Sequence, residues 1–300
     1  MSKNKPRLFE GAATALVTPF EKENQRIDEK AFRALIEEQI DAGIAALVIA
    51  GTTGEVSTLT ESEHKNLLRI ALEQAGGRVP IIAGCGSNDT EVMLRRSRNA
   101  AEVGCQGLLL VTPYYNKATP SSLAMHYKEI AKSTSLPVIL YNVPSRTGVS
   151  LGMQTLKELG EIENIVGVKE ASGDVCELER KIAELGDKLW FYTGCDELIL
   201  PSYSVGAVGV ISAVANVIPK EIATLCAKIK ENEWEKAREL THALSALIKE
   251  LYAEVNPIPV KCALSQMGLI ENELRLPLAP SSRETQIACE LIRLASVKLD

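Results

Sequence analysis

Histidine is scarce in this chain of 300 residues, with only three, at positions 64, 126 and 242. A metal site built on imidazoles has few ligands to draw on, and all three lie in stretches of helical periodicity rather than at strand ends. Metal catalysis is therefore not expected, and no cofactor is expected either. Aromatic residues are sparse as well, with 2 Trp, 7 Tyr and 4 Phe. The seven cysteines, at 85, 105, 176, 195, 226, 262 and 289, contain no C-x-x-C pair. Reduced thiols packed as small apolar groups are expected, and with them a cytoplasmic location. Long apolar runs are also missing. The stretch Ile44 to Ala50 is far too short to cross a bilayer, and the opening MSKNKPRLFEG has basic residues without the apolar core of a signal peptide. No membrane association is expected. With 33 basic against 39 acidic residues the net charge is -6, and no basic stripe is present to neutralise phosphates, which excludes a nucleic-acid partner.

What the sequence does contain is a recurring alternation. Eight short apolar, β-branched runs appear at Ala12–Val17, Ala45–Ala50, Val79–Ala83, Gly107–Val111, Val138–Leu140, Ile165–Val168, Leu189–Tyr192 and Val208–Ile211. They are continuous rather than alternating, as expected of parallel strands buried on both faces. Amphipathic segments separate them, at Asp28–Ala42, Glu61–Ala75, Glu91–Val103, Ser121–Lys132 and Val175–Leu185. Asp28, Thr60 with Glu63, and Thr90 read as N-terminal caps, and Gly43, Gly76 and Gly104 as helix stops. Eight strand–helix units imply a closed (β/α)8 TIM barrel. The barrel is assigned to residues 1–220, and residues 221–300 to a C-terminal helical extension with helices at Glu233–Leu251, Ile258–Met267 and from Ser282.

In such a barrel the chemistry belongs at the C-terminal ends of the strands. The densest clusters of Gly, Thr, Tyr and Asn do follow the runs: GTTGE at 51–55, GCGSN at 84–88, TPYYNK at 112–117, YNVPSRTG at 141–148, EASGD at 170–174 and GCDE at 194–197. Lys169 is the sharpest signal, because it places an ammonium at the end of a strand that should be fully buried. Desolvation favours the neutral amine, a nucleophile able to condense with a ketone or aldehyde. The plainer alternative is a strand-end lysine paired with Glu170 or Asp174.

Other positions fit such a site without demanding it. Tyr141 ends the neighbouring strand and could pass protons as a neutral phenol, or simply pack in the core. Gly51-Thr52-Thr53-Gly54 offers amides and hydroxyls to a carboxylate, or merely caps a helix. Arg146 could clamp a second carboxylate, or form a surface ion pair. Tyr114 and Tyr115 are adjacent and so point in different directions. Cys85 and Cys195 have no histidine beside them in sequence and read as packing residues. Asp196 and Glu197, after the seventh run, would repel a phosphorylated substrate.

Taken together in order and spacing, GTTGE, VTPYYNK, YNVPSRTG, GVKEASGD and NPIPVK resemble the dihydrodipicolinate synthase and N-acetylneuraminate lyase family. The resemblance runs from about Gly11 to Leu278. It implies a barrel in which Lys169 forms a Schiff base with pyruvate, Tyr141 transfers protons, and Thr52 and Tyr115 relay them, Tyr115 reaching a neighbouring subunit. Thr53 would hold the pyruvate carboxylate, and Gly194 and Ile211 would line its pocket. Arg146 resembles the residue that receives the carboxylate of aspartate semialdehyde in the synthases and is generally lacking in sialic-acid lyases. The implied reaction joins pyruvate to aspartate semialdehyde in diaminopimelate and lysine biosynthesis, in a homotetramer made of two tight dimers. Ser57, His64, Asn88 and Tyr114 match positions of a lysine-inhibitor cleft, whereas Val56, Glu61 and Glu91 depart from its pattern, so inhibition by L-lysine stays open. Two rivals also stay open: another pyruvate aldolase acting on a sugar acid or hydroxy-oxoglutarate, and a non-catalytic ligand-binding barrel.

Overall fold

A computed structural model describes residues 5–295. Eight parallel strands close on themselves in sequence order: β1 (Gly11–Ala15), β2 (Ala46–Ile49), β3 (Ile81–Gly84), β4 (Gly107–Val111), β5 (Val138–Asn142), β6 (Ile165–Glu170), β7 (Trp190–Thr193) and β8 (Gly209–Ser212), with β8 paired to β1. The helices between them are α1 (Glu29–Asp41), α2 (Glu61–Ala75), α3 (Thr90–Val103), α4 (Pro120–Ser133), the short α5 (Pro144–Thr147), α6 (Met153–Gly160), α7 (Val175–Leu185) and α8 (Ile199–Ser204). After β8 come α9 (Pro219–Lys230), α10 (Trp234–Leu251), α11 (Ile258–Gln266) and α12 (Glu284–Ala295). The closed eightfold barrel with C-terminal helices is the fold expected from the alternating runs. Among the described residues, no helix is long and apolar enough to cross a membrane.

Local chemistry explains most of the element boundaries. Asp28 caps α1 by accepting from Ala31 N–H, and Thr60 and Glu63 form a reciprocal capping box on α2. The third cap is corrected: Asp89, not Thr90, accepts the free amides of α3, and its carboxylate is the better acceptor at a helix N-terminus. Helices α5, α6, α8 and α9 had no counterpart among the segments picked out in the sequence. The third strand begins at Ile81 rather than Val79, because Pro80 has no N–H for the ladder. Strands five, six and eight run past their apolar stretches onto Asn142, Glu170 and Ser212, so that polar groups ride the strands into the active-site end.

Two apolar layers follow from alternation along the strands. The inner one, filling the barrel, includes Ala13, Ala15, Ala46, Val48, Ile82, Ile139, Val166 and Ile211. It is plugged at the N-terminal end by Phe9 stacked on Tyr192 at 4.4 Å between ring centroids, and the Tyr192 hydroxyl donates to the Phe9 carbonyl. The outer layer, between strands and helices, is continuous with buried residues of α10, α11 and α12, including Leu244, Leu251, Val260 and Ile287. The C-terminal helices thus share the core of the barrel helices.

Candidate active site

Strands β5 and β6 pair in register with Tyr141 opposite Lys169 and Asn142 opposite Glu170. Alternation then sends the first pair into the barrel and the second pair outward. The outward pair is tied down. Glu170 accepts from Asn142 Nδ2 at 2.8 Å, from the Ser172 amide at 2.9 Å and from Lys181 Nζ at 2.7 Å. Glu170 is therefore committed to Lys181, and Asp174 caps α7 through the Glu177 amide. Neither is the partner of Lys169, which removes the plainer reading of that lysine.

Inside the barrel, Lys169 is 6% exposed and has no ion-pair partner among the described residues. Its Nζ lies 4.4 Å from the centre of the Tyr141 ring. Burial pulls its pKa down to about 8, the positive Arg146 pulls the same way, and Asp196 opposes them. Burial acts in the opposite direction on Tyr141, pushing the phenol up to about 12, while the Thr52 side chain, a hydrogen-bond partner of its anion, and Arg146 favour ionisation. The lysine can thus reach its neutral, nucleophilic form near neutral pH beside a phenol that keeps its proton. Gly194 makes room for it: a Cβ there would sit 2.6 Å from Lys169 Cε.

A cavity of about 540 Å³ opens above these groups and is lined by Lys169, Tyr141, Thr52, Thr53, Arg146, Gly194 and Ile211. Seven of the residues picked out from the sequence thus share one space, delivered by β2, β5, β6, β7 and β8. Thr53 is buried, and its Oγ1 accepts from Asn256 Nδ2 at 2.9 Å. Arg146 lies exposed on α5 after β5 and donates through Nη2 to the Asn256 carbonyl at 3.0 Å. Cys195 lines the cavity with its thiol pushed up to about 11, a protonated group at neutral pH, while Cys85 is fully buried.

The remaining sequence candidates lie elsewhere. Tyr115 does not line this cavity; it is 90% exposed, on a left-handed backbone with φ of 72°. Ser57 is exposed on the 3-10 turn Val56–Thr58, while Asn88 and Tyr114 are half-buried on the loops after β3 and β4. Asn116 Nδ2 donates to the Asn88 carbonyl, joining those two loops. His64 is buried on α2 with Nε2 at 3.0 Å from the Gly84 carbonyl, and burial lowers its pKa. None of these four lines the Lys169 cavity.

Sequence reasoning missed part of the wall. The segment from Tyr252 to Asn256, after α10, closes one side of the cavity, and Asp196 lies within it, 3% exposed. Asp196 stands at a strand end, a position that marked it for the site rather than merely against phosphate. Asn256 could be noticed only as part of the NPIPVK stretch. Tyr252 carries no local signal, because it reaches the pocket through chain topology alone.

Fold and pocket together define a barrel enzyme with a buried, unpaired amine at its centre. The model of the dihydrodipicolinate synthetase family matches residues 8–293, and the chain belongs to that family. It is 47% identical over 276 residues to the 4-hydroxy-tetrahydrodipicolinate synthase of Alkaliphilus oremlandii (strain OhILAs), covering 91% of this chain and 93% of that one. Among solved structures, the 4-hydroxy-tetrahydrodipicolinate synthase from the thermoacidophilic methanotroph Methylacidiphilum fumariolicum SolV superposes with a TM-score of 0.93 at 42% identity, covering 95% of this chain and 96% of that chain. A monomeric dihydrodipicolinate synthase variant superposes with a TM-score of 0.94 at 40% identity, covering 97% of this chain and 98% of that chain.

Proposed function

We propose that the protein is a lyase that condenses pyruvate with L-aspartate 4-semialdehyde to give 4-hydroxy-tetrahydrodipicolinate, in the diaminopimelate route to lysine. The observation that carries this is the buried, unpaired Lys169 in register beside Tyr141, under a cavity with Arg146 at its mouth. The neutral Lys169 amine adds to the C2 ketone of pyruvate and water leaves, giving a protonated imine. Loss of a C3 proton yields the enamine, which attacks the aldehyde carbon of the second substrate. The new alkoxide takes a proton, and the substrate's own amine then displaces Lys169 as the ring closes. Tyr141 moves these protons, in concert with Thr52. Thr53 holds the pyruvate carboxylate, and Gly194 and Ile211 shape its pocket. Arg146 takes the carboxylate of the semialdehyde, a planar fork suited to bidentate contact. That choice separates this reading from sugar-acid aldolases.

Reduction with borohydride in the presence of pyruvate is expected to add one pyruvate-derived mass to Lys169. A folded protein with no adduct would sink the Schiff-base reading. Pairing pyruvate in turn with aspartate semialdehyde and with sugar aldehydes then decides the second substrate.

Residues 1–220 carry the reacting groups in this reading, and residues 221–300 supply the wall from Tyr252 to Asn256. The exposed Tyr115 completes the proton relay in a second copy of the chain, within a homotetramer of two tight dimers. Sedimentation tests the assembly, and a fully active Tyr115→Phe enzyme would exclude the relay. The seven unpaired cysteines suit a cytoplasmic setting. Inhibition by L-lysine at Ser57, His64, Asn88 and Tyr114 is decided by titration: unchanged turnover at millimolar L-lysine removes it.

A further inference from the structure

Three acids line the cavity: Asp196, Glu197 and Glu254. They are not equivalent. Glu197 is exposed, and Glu254 is occupied by the hydroxyls of Ser281 and Ser282. Asp196 alone is buried, and its carboxylate is surrounded by donors. Its Oδ1 accepts from the Ser212 hydroxyl, and its Oδ2 from the Ala213 amide at 3.1 Å, the Val214 amide at 3.4 Å and the Tyr252 hydroxyl at 2.6 Å. Four donors hold this buried carboxylate in one orientation. Three belong to the end of β8 and the turn after it. The fourth comes from beyond α10, in the C-terminal helical region.

We propose that Tyr252 is a positioning residue for the Lys169 amine, acting through Asp196: its hydroxyl fixes the buried carboxylate that shares the cavity with the lysine and whose charge acts on it and on the cationic imine formed there. The proposal rests on the Schiff-base reading above. Tyr252 is 38% exposed as a residue, yet its hydroxyl is turned inward onto Asp196, so the side chain bridges the cavity wall and the buried charge. Burial and the neighbouring carboxylate raise the Tyr252 phenol and keep it a donor.

The charged groups around Lys169 are few enough to give the sign of the effect. Lys169 faces Tyr141 and Arg146 from the β5 side, and Cys195 and Asp196 from the β7 side. Tyr252 faces Asp196, Cys195 and Tyr141. Tyr141 at about 12 and Cys195 at about 11 are neutral near neutral pH, which leaves Arg146 and Asp196 as the charges acting on the lysine. The Tyr252 O–H points its positive end at Asp196 and so partly offsets the carboxylate's field. Removing it strengthens that field and holds the proton on Lys169 more tightly.

The test measures the rate of pyruvate trapping on Lys169 with cyanoborohydride, by intact mass, across roughly pH 6 to 9. In Tyr252→Phe the midpoint of the profile is expected to move up by ~0.5 unit, which is about a 3-fold slower rate on its acidic side. In Asp196→Asn it is expected to move down, because the anion that favours the ammonium is gone. Should Asp196→Asn fail to fold, Ser212→Ala removes a different donor and is expected to shift the profile upward, like Tyr252→Phe. A purely structural role would lower the melting temperature and leave the midpoint in place. Coincident profiles for Tyr252→Phe and the parent, with adducts formed in both, would overturn the proposal while leaving the Schiff-base reading intact. No adduct in the parent protein would overturn both.

Discussion

Among the described residues three lysines are buried, and they live in opposite circumstances. Lys181 lies between Glu170 at 2.7 Å and Glu177 at 2.7 Å, on the outer face of β6. Lys261 is fully buried against Glu55 at 2.5 Å, donates to the Glu273 carbonyl, and stands 4.2 Å from the centre of the Phe20 ring. Lys169, one residue before Glu170, has no carboxylate at ion-pair distance among the described residues. Burial lowers both amines to about 8, and what separates them is the partner: Glu55 holds the Lys261 ammonium in an ion pair, and no carboxylate among the described residues holds Lys169. A paired lysine is structural glue whose charge is satisfied. An unpaired one can give up its proton without leaving a buried carboxylate alone, and that condition is what a nucleophile requires.

The first way to break the comparison is to remove the unpaired lysine. Lys169→Met relieves a desolvated amine and fits the apolar floor, so the melting temperature is expected to hold or rise. Turnover is expected to fall by roughly 10^4-fold or more, because no other group here can form the imine. An active, pyruvate-trapping Lys169→Met protein would show the nucleophile to lie elsewhere.

Removing a paired lysine should do the reverse. Lys261→Met leaves Glu55 as an uncompensated buried carboxylate and is expected to destabilise the fold by about 3–5 kcal/mol, read from denaturant unfolding. Glu55 closes the turn that carries Thr52 and Thr53, through its amide to the Thr52 carbonyl at 3.1 Å, and its Oε2 accepts from the Arg275 amide. Activity should therefore drop along with stability. The double change Glu55→Gln with Lys261→Met should recover most of the stability, since no charge is then left unpaired. Full stability in the single variant would mean the pair is not the lock described.

A milder disturbance crowds the free lysine without deleting it. Gly194→Ala would place a methyl 2.6 Å from Lys169 Cε and 2.8 Å from Ala171 Cβ, so the amine must shift. A loss of ~100-fold in turnover with little change in stability is expected, the scale of a misplacement of about 1 Å. Arg146→Ala is gentler still. Arg146 is exposed and touches Asn256 rather than Lys169, so trapping of pyruvate should persist while kcat/KM for the carboxylated aldehyde falls by roughly 10- to 100-fold.

How much of this was visible in the residues alone depends on whether the signal is local. The barrel was legible because strands buried on both faces read as unbroken apolar runs, and the runs stopped short where Asn142, Glu170 and Ser212 continue the ladder with polar side chains. Lys169 was legible because a charge interrupts one of those runs. Its lack of a partner was not, since Glu170 and Asp174 are equally near in sequence and only the alternation of β6 and the cap of α7 take them away. The Tyr252–Asp196 contact spans 56 residues, and Lys261–Glu55 spans 206. Neither leaves a periodicity or a motif to read, because both are made by the C-terminal helices folding back over the barrel mouth.

The smallest expected effect reads the depressed amine of Lys169 directly. An amine with a pKa of about 8 is neutral in roughly one molecule in ten at pH 7, against ~3 in 10,000 for an ordinary lysine. Because the pKa is depressed, the reactive fraction grows as pH rises and saturates above the folded value. The rate of imine formation should climb close to tenfold per pH unit below about 8 and flatten above it. Measured by pyruvate trapping at low substrate, a rise continuing to about pH 10 would mean that Lys169 keeps an ordinary lysine pKa. A plateau already present near pH 6 would mean the pocket depresses it further than the field of Asp196 allows.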